Sequence, residues 1–141
     1  MKNSYALITG ASSGIGLEIA KNFAKKGYNL VLTARRKDLL ENIASDISAE
    51  NNIHVDIISK DLSLKNSTNE IFEFCESKNY QIEILVNNAG YGIKTSFDKT
   101  SVEDEEKFVR VLGTSVIMLT KLFIPKMIEN GFGKIMIVSS V

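Results

Sequence analysis

Short apolar runs alternate with amphipathic segments along most of the chain. The runs are nearly continuous, as in the strands of a parallel sheet that is covered on both faces. They predict strands at Tyr5–Thr9, Asn29–Ala34, Ile53–Ile58, Ile82–Val86 and Lys134–Ser139. Between the runs, apolar residues recur every three or four positions, which is typical of helices with one buried face. These segments predict a helix from Ile15 to just before Gly27, and further helices at Asp38–Glu50, Leu64–Lys78 and Val102–Glu129.

The regular alternation of strand and helix predicts a single α/β domain, a doubly wound parallel sheet of the Rossmann type. Right-handed crossovers, with a reversal of direction after the first three strands, give the strand order 3-2-1-4-5. A ligand crevice is then expected beyond the carboxyl ends of strands 1 and 4. The sequence stops after strand 5, so we expect residues 1–141 to be a truncated form of this fold. The one proline, Pro125, falls inside the last helical pattern, where we expect it to bend or break the helix.

The composition argues against several classes of binding partner. The 141 residues include 17 basic and 17 acidic side chains, so the formal net charge is zero. Nucleic acids and anionic membrane surfaces select an excess of positive charge, so we expect neither as a partner. No signal peptide opens the chain, and no apolar run approaches the length of a membrane span. Cys75 is the only cysteine and His54 has no second ligand at metal spacing, so we expect a cytoplasmic protein without disulfide or metal.

A glycine-rich turn joins the first strand to the first helix. Gly10 permits a sharp turn, Gly14 lets the backbone approach a pyrophosphate, and Gly16 lets helix and strand pack closely. The free N–H groups of the helix's first turn would face the phosphates. This turn therefore predicts a dinucleotide site, although glycine-rich turns also occur for conformational reasons alone. The predicted cofactor contacts in it are Gly10, Ser12, Ser13, Gly14, Ile15 and Gly16.

The end of strand 2 indicates which dinucleotide fits. A carboxylate there would accept a hydrogen bond from the adenosine ribose 2′-hydroxyl, whereas an arginine would pair with a 2′-phosphate. Here the strand ends in Ala34 followed by Arg35 and Arg36, with no carboxylate. Guanidinium groups suit bidentate phosphate recognition, so the sequence favours NADP(H) over NAD(H). The alternative is that both arginines are solvated at the start of a helix.

Together with this turn, three further motifs resemble the short-chain dehydrogenase/reductase family. They are Asn87-Asn88-Ala89-Gly90 after strand 4, Asp61-Leu62 after strand 3 and Ser139-Ser140 after strand 5. The resemblance implies that Asp61 binds the adenine amino group, that Asn88 lies along the adenosine ribose, and that Asn87 ties the central strands together. It also places Leu62, Ala89 and Gly90 among the cofactor contacts. Taken alone, Asp61 could cap a turn and the asparagines could be turn formers.

By the same resemblance, the chemistry is hydride transfer between a nicotinamide and the carbonyl or alcohol carbon of a small-molecule substrate that the sequence does not identify. The family uses a serine, which Ser140 matches, and a Tyr-x-x-x-Lys pair as general acid/base. None of the four tyrosines here has a lysine four positions later. Leu112 stands where the family has a relay asparagine. We therefore expect this chain to be the cofactor-binding part of an enzyme, inactive by itself.

Two other interpretations of the chain's function remain open. The chain could be a non-catalytic dinucleotide-binding or interaction protein, which Leu112 favours, or a purely structural α/β domain, which would make the motifs coincidental. Strand 5 would form an exposed apolar edge, which invites pairing with another chain. We therefore expect a homo-oligomer formed through strand 5 or the long helix.

Overall fold

A five-stranded parallel sheet with the order β3-β2-β1-β4-β5 organises the protein, as the sequence predicts. The computed structural model describes residues 3–139. The strands are β1 Ser4–Thr9, β2 Asn29–Ala34, β3 Val55–Ser59, β4 Gln81–Asn87 and β5 Lys134–Ile137. The helices are α1 Gly14–Lys25, α2 Lys37–Asn51, α3 Ser67–Ser77, α4 Val102–Val109 and α5 Ser115–Glu129, with a single 3₁₀ turn at Phe97–Lys99.

Helices cover both faces of this sheet and create two apolar clusters. Because side chains alternate along a strand, Leu30 and Leu32 of β2 face α1 and α2, whereas Val31 faces α3 and α5. The first cluster is completed by Ala20, Ala24, Leu40 and Ile47 from the helices. The second is completed by Ile71, Cys75, Leu119, Phe123 and Met127. Burial on both faces explains why the central strands β1, β2 and β4 are mostly apolar.

The helix predicted over Val102–Glu129 has these bounds, but it is not uniform. Residues Arg110–Thr114 form a π-helical segment between α4 and α5. The helix continues through Pro125 inside α5, so the expectation of a break at this proline is wrong. The missing proline N–H removes one hydrogen bond of the helical ladder, and packing of the surrounding turns holds the helix together.

The same helix also corrects the expectation about membrane spans. Val102–Glu129 is long enough and apolar enough to cross a membrane by length and composition. Its buried side chains include Leu119, Phe123 and Met127, which pack against the sheet and α3. The rings of Phe72 and Phe123 meet edge to face at 5.2 Å. These buried side chains account for part of its apolar character, and 22% of its most apolar 18-residue stretch is buried in the fold.

Two elements begin later than their patterns predict. Strand β3 starts at Val55, after Asn52 adopts a left-handed conformation with φ of 52° that ends α2. Helix α3 starts at Ser67, because Asp61 organises the preceding turn. The Ser63 N–H donates to the Asp61 carboxylate at 2.9 Å, and the Ser67 hydroxyl donates to the Asp61 carbonyl oxygen. Local hydrogen bonds thus compete with the first helical turn.

Candidate functional site

A cavity of about 700 Å³ opens at the carboxyl end of the sheet. It lies where the strand order changes direction between β1 and β4, which is the usual ligand crevice of a doubly wound sheet. Its wall is formed by the glycine-rich turn, by the segments after β2, β3 and β4, and by one face of α4 and the π segment. The lining residues are Gly10, Ser12, Ser13, Ile15, Thr33, Ala34, Arg35, Arg36, Lys60, Asp61, Leu62, Ser63, Asn88, Ala89, Gly90, Tyr91, Lys107 and Val111.

The cavity brings together the predicted cofactor-binding residues with the exception of Gly14 and Gly16. A Cβ on Gly16 would lie 2.3 Å from the Gly10 carbonyl oxygen and 2.4 Å from the Asn88 amide nitrogen, so this glycine lets α1 approach the sheet. Gly10 and Gly14 have φ of 63° and 55°, a left-handed region that glycine enters without strain. The predicted catalytic Ser140 lies outside the described residues.

Thr9 fastens the glycine-rich turn to the segment after β4. Its hydroxyl oxygen accepts hydrogen bonds from the backbone N–H groups of Asn88 and Ala89, each at 2.9 Å. The same hydroxyl donates to the Val86 carbonyl oxygen at 3.4 Å. The Thr9 side chain is fully hydrogen-bonded and 1% exposed, so the two segments that border the cavity are held as one unit.

The paired asparagines divide their structural roles differently from the expectation. Asn88 makes the side-chain tie to β1, since its amide donates to the carbonyl oxygens of Thr9 at 3.1 Å and Gly10 at 3.2 Å. The Asn87 amide donates to the Thr120 hydroxyl of α5 at 3.4 Å instead. Asn88 therefore holds the central strands together at the cavity, and Asn87 joins β4 to a helix.

Positive charge surrounds the outer part of the cavity. The Arg36 guanidinium donates to the Ser12 hydroxyl at 3.4 Å and so links the end of β2 to the glycine-rich turn. Lys60 forms an ion pair with Glu70, and Lys107 forms one with Glu103. Within residues 3–139, neither Arg35 nor Arg36 has a carboxylate at ion-pair distance. Both arginines are available to bind an anion.

Asp61 provides the cavity's negative group. Partial burial favours its neutral form, but this is outweighed by hydrogen bonds from Ser63 and by the positive charges of Arg35 and Lys107. The pKa of Asp61 is therefore lower than its ordinary value, and the side chain is a carboxylate at neutral pH. A carboxylate can accept hydrogen bonds from an amino group.

The α1 N-terminus supplies further donors. The side chain of Ser13, which precedes the first helical residue, makes no capping hydrogen bond. Such an uncapped first turn leaves backbone N–H groups for a ligand, with the positive end of the helix dipole behind them. Nothing lies within 4 Å of the position where a Cβ would sit on Gly14, so the turn is open on that side. This arrangement suits a phosphate group.

Seven residues of the cavity wall were not predicted from the sequence. They are Thr33, Ala34, Lys60, Ser63, Tyr91, Lys107 and Val111. Lys60 and Ser63 flank the predicted Asp61, and this proximity could have found them. Lys107 and Val111 reach the cavity because α4 packs over its edge, and no local pattern records that orientation. No group of three or more His, Cys, Asp or Glu side chains in the described part of the chain is placed to hold a metal ion.

Comparison with known proteins identifies the family. The profile described as short chain dehydrogenase matches residues 4–141. The chain belongs to the short-chain dehydrogenase family. A very-long-chain 3-oxoacyl-CoA reductase of Kluyveromyces lactis is 32% identical over 128 residues, which cover 89% of this chain and 37% of that protein. An uncharacterized oxidoreductase of Staphylococcus saprophyticus is 30% identical over 141 residues, which cover 100% of this chain and 60% of that protein.

Solved structures share the fold closely. One from Sphingobium yanoikuyae in complex with NADPH is 32% identical with a TM-score of 0.91, and the match covers 98% of this chain and 54% of that one. L-sorbose reductase from Gluconobacter frateurii, complexed with NADPH and L-sorbose, is also 32% identical with a TM-score of 0.91, covering 97% and 52%. The chain thus spans between about a third and three fifths of the length of these proteins.

Proposed function

We propose that this chain is the NADP(H)-binding part of a short-chain oxidoreductase. The observation that carries the proposal is Arg35 beside Arg36 at the end of β2, both lining the cavity and neither paired with a carboxylate within residues 3–139. A 2′-phosphate placed there would gain charge-assisted hydrogen bonds from the planar guanidinium groups. An NAD(H)-specific site would instead need a carboxylate for the ribose hydroxyl. The NADPH complexes of the two related structures support the same cofactor.

The other lining residues suit the remaining parts of the dinucleotide. The first turn of α1 and the open side of Gly14 would receive the pyrophosphate. Asp61 would accept a hydrogen bond from the adenine amino group, and Leu62, Ala89 and Val111 would pack around the base. In this proposal Asn88 acts mainly by holding the two cavity borders together, in addition to its place in the wall.

When bound, the dinucleotide would supply or accept a hydride at a carbonyl or alcohol carbon of a small-molecule substrate. The chain's described residues would bind and orient it. Ser140 remains the predicted substrate-orienting serine, and no Tyr-x-x-x-Lys pair occurs among the 141 residues. We therefore propose that these 141 residues bind cofactor without catalysing turnover by themselves.

A non-catalytic dinucleotide-binding protein is the second candidate, and Leu112 favours it. This residue stands in the π segment at the place predicted for a relay asparagine. A Cβ on Gly90 would lie 2.9 Å from its Cδ2 atom, so an apolar side chain abuts the segment that follows β4. The candidates differ in one outcome: a longer form that carries Tyr-x-x-x-Lys would catalyse hydride transfer under the first proposal and would not under the second.

We further propose that the chain forms homo-oligomers through β5 or the helix Val102–Glu129. Met136 and Ile137 of β5 are exposed, as are Ile117 and Ile128 of α5. An edge strand leaves backbone N–H and C=O groups unpaired, which favours pairing with another chain. Exposed apolar surface beside that edge favours association as well. A monodisperse monomer in light scattering at high protein concentration would overturn this proposal.

A charge reversal at Arg35 tests the cofactor proposal. Arg35→Asp should weaken NADPH binding by roughly ten- to a hundredfold, because it removes charge-assisted hydrogen bonds. It should leave NADH binding unchanged or make it tighter, because the new carboxylate can accept a hydrogen bond from the ribose 2′-hydroxyl. Lys37→Asp is the matched control, since Lys37 lies two residues away, pairs with Glu41 and is not part of the cavity wall. Equal losses for both cofactors, or equal losses in both variants, would contradict the proposal.

A further inference from the structure

Two neighbouring threonines at the carboxyl end of the sheet differ in one respect. Thr9 of β1 and Thr33 of β2 are partners in the strand register, and each is 1% exposed. The Thr9 hydroxyl takes part in three hydrogen bonds. The Thr33 hydroxyl has no hydrogen-bond partner among the described residues.

An unpaired buried hydroxyl lowers the stability of the folded chain, so its presence at position 33 requires an explanation. Most buried polar side-chain atoms in folded proteins have a partner. Valine has almost the same shape, prefers strands equally well and would remove the penalty. The packing of β2 in the described part of the chain therefore does not require a threonine at position 33. The unpaired hydroxyl indicates a hydrogen-bond partner that comes from outside the chain.

The position of Thr33 indicates which part of a ligand it would meet. The side chain lies on the same strand face as Val31, which is the face of the cluster that contains Leu62 and Val111. Thr33 is part of the cavity wall, together with these two residues and Ala89. Leu62, Ala89 and Val111 supply apolar surface to this wall, and Asp61 lies directly before Leu62 in the chain. A flat base with an amino group fits such surroundings.

We infer that the Thr33 hydroxyl is a hydrogen-bonding group for the adenine base of the bound dinucleotide. The inference rests on the proposed cofactor function and adds a specificity-determining residue to it. The hydroxyl oxygen is buried beneath the cavity surface, so this contact requires the Thr33 side chain to turn to another staggered rotamer when the base binds. The rotated hydroxyl donates to a ring nitrogen of adenine, while Asp61 accepts from the amino group.

Three variants test this inference on the 141-residue chain. Thr33→Val removes the hydroxyl and keeps the shape, Thr33→Ser keeps the hydroxyl, and Thr9→Val removes the neighbouring, fully bonded hydroxyl. The probes are NADPH, NADH and ADP-ribose, which share the adenine base, and reduced nicotinamide mononucleotide, which lacks it. Calorimetry gives each dissociation constant, and circular dichroism gives the melting temperature of each ligand-free chain. Thr33→Ala replaces Thr33→Val if the valine variant does not fold.

Thr33→Val should weaken binding of the three adenine-containing probes by about three- to tenfold, as loss of one hydrogen bond implies. The affinity for the mononucleotide should not change. Thr33→Ser, which keeps the hydroxyl, should bind the three adenine-containing probes as tightly as the unaltered chain does. The ligand-free melting temperature should rise by roughly 2–6 °C in Thr33→Val, because an unpaired hydroxyl is removed, and should fall in Thr9→Val.

Unchanged affinity for all three adenine-containing probes would overturn the inference, since it would mean that water alone satisfies Thr33. A loss confined to NADPH would also overturn it, because the contact would then be to the 2′-phosphate. Failure of the unaltered chain to bind NADPH would overturn the proposed function, and the inference with it.

Discussion

The Thr9 hydroxyl accepts a hydrogen bond from the Asn88 backbone N–H at 2.9 Å, and the Asn88 side-chain amide donates one to the Thr9 carbonyl oxygen at 3.1 Å. These reciprocal bonds join two segments that are 79 residues apart in sequence. They fix the distance between the glycine-rich turn and the segment after β4. The cavity between them is therefore built into the folded chain before any ligand binds.

Removing the Thr9 hydroxyl should loosen this junction. Thr9→Val leaves the partly buried N–H groups of Asn88 and Ala89 without their acceptor, so the free energy of unfolding should fall by about 1–3 kcal/mol. Urea denaturation followed by circular dichroism measures the change. Thr9→Ser keeps the acceptor and should retain most of the stability. A Thr9→Val chain as stable as the original would show that the junction does not depend on this hydroxyl.

Among the described glycines, Gly16 is the one whose Cβ position lies nearest to a backbone atom. Gly16→Ala would place a methyl group 2.3 Å from the Gly10 carbonyl oxygen, so α1 must move away from the sheet. We expect a loss of about 1–3 kcal/mol in stability, as for other overpacked sites, together with weaker cofactor binding. Gly92→Ala is the control, because nothing lies within 4 Å of its Cβ position. Similar melting temperatures for the two variants would argue against the close approach of α1.

The sequence was sufficient to predict the strand order and most of the cavity, and particular residues show why. Residues such as Gly10 and Arg35 are placed by their position at strand ends, and parallel strands bring their carboxyl ends to one edge. Lys107 and Val111 could not be predicted, because their position depends on how α4 packs. The π segment at Arg110–Thr114 also lacks a local signal, while Pro125, which has one, causes no break.

Asp61 should make stability depend on acid pH. Its pKa is lower in the folded chain than in the unfolded chain, where it is near 4, so its contribution is complete above about pH 4 and is lost as the pH falls through the lower folded value. The difference in melting temperature between the original chain and Asp61→Asn should therefore shrink below about pH 4. Asp46→Asn, which removes an exposed carboxyl from α2, is the matched control. A difference that stays constant from pH 7 to pH 2 would contradict this assignment.

Cys75 should report on opening of the fold. Burial, together with the charges of Glu76 and Asp56, raises the pKa of its thiol to about 12, and the side chain has no exposed surface. A disulfide reagent at pH 8 should label it only as fast as the chain unfolds, so the rate should rise with urea. Moving the thiol to the exposed surface of α3, with Cys75→Ala and Ser77→Cys, should give rapid labelling. Rapid labelling of the native Cys75 without urea would show that the α3 face is not packed as described.

The most direct test of the central claim is a titration of the unaltered 141-residue chain with NADPH and with NADH, in which nicotinamide fluorescence and melting temperature are followed together. The account predicts that NADPH binds at least about ten times more tightly and raises the melting temperature, as ligands of the folded state do. A chain that is folded by circular dichroism yet binds neither dinucleotide, or binds NADH more tightly, would contradict it.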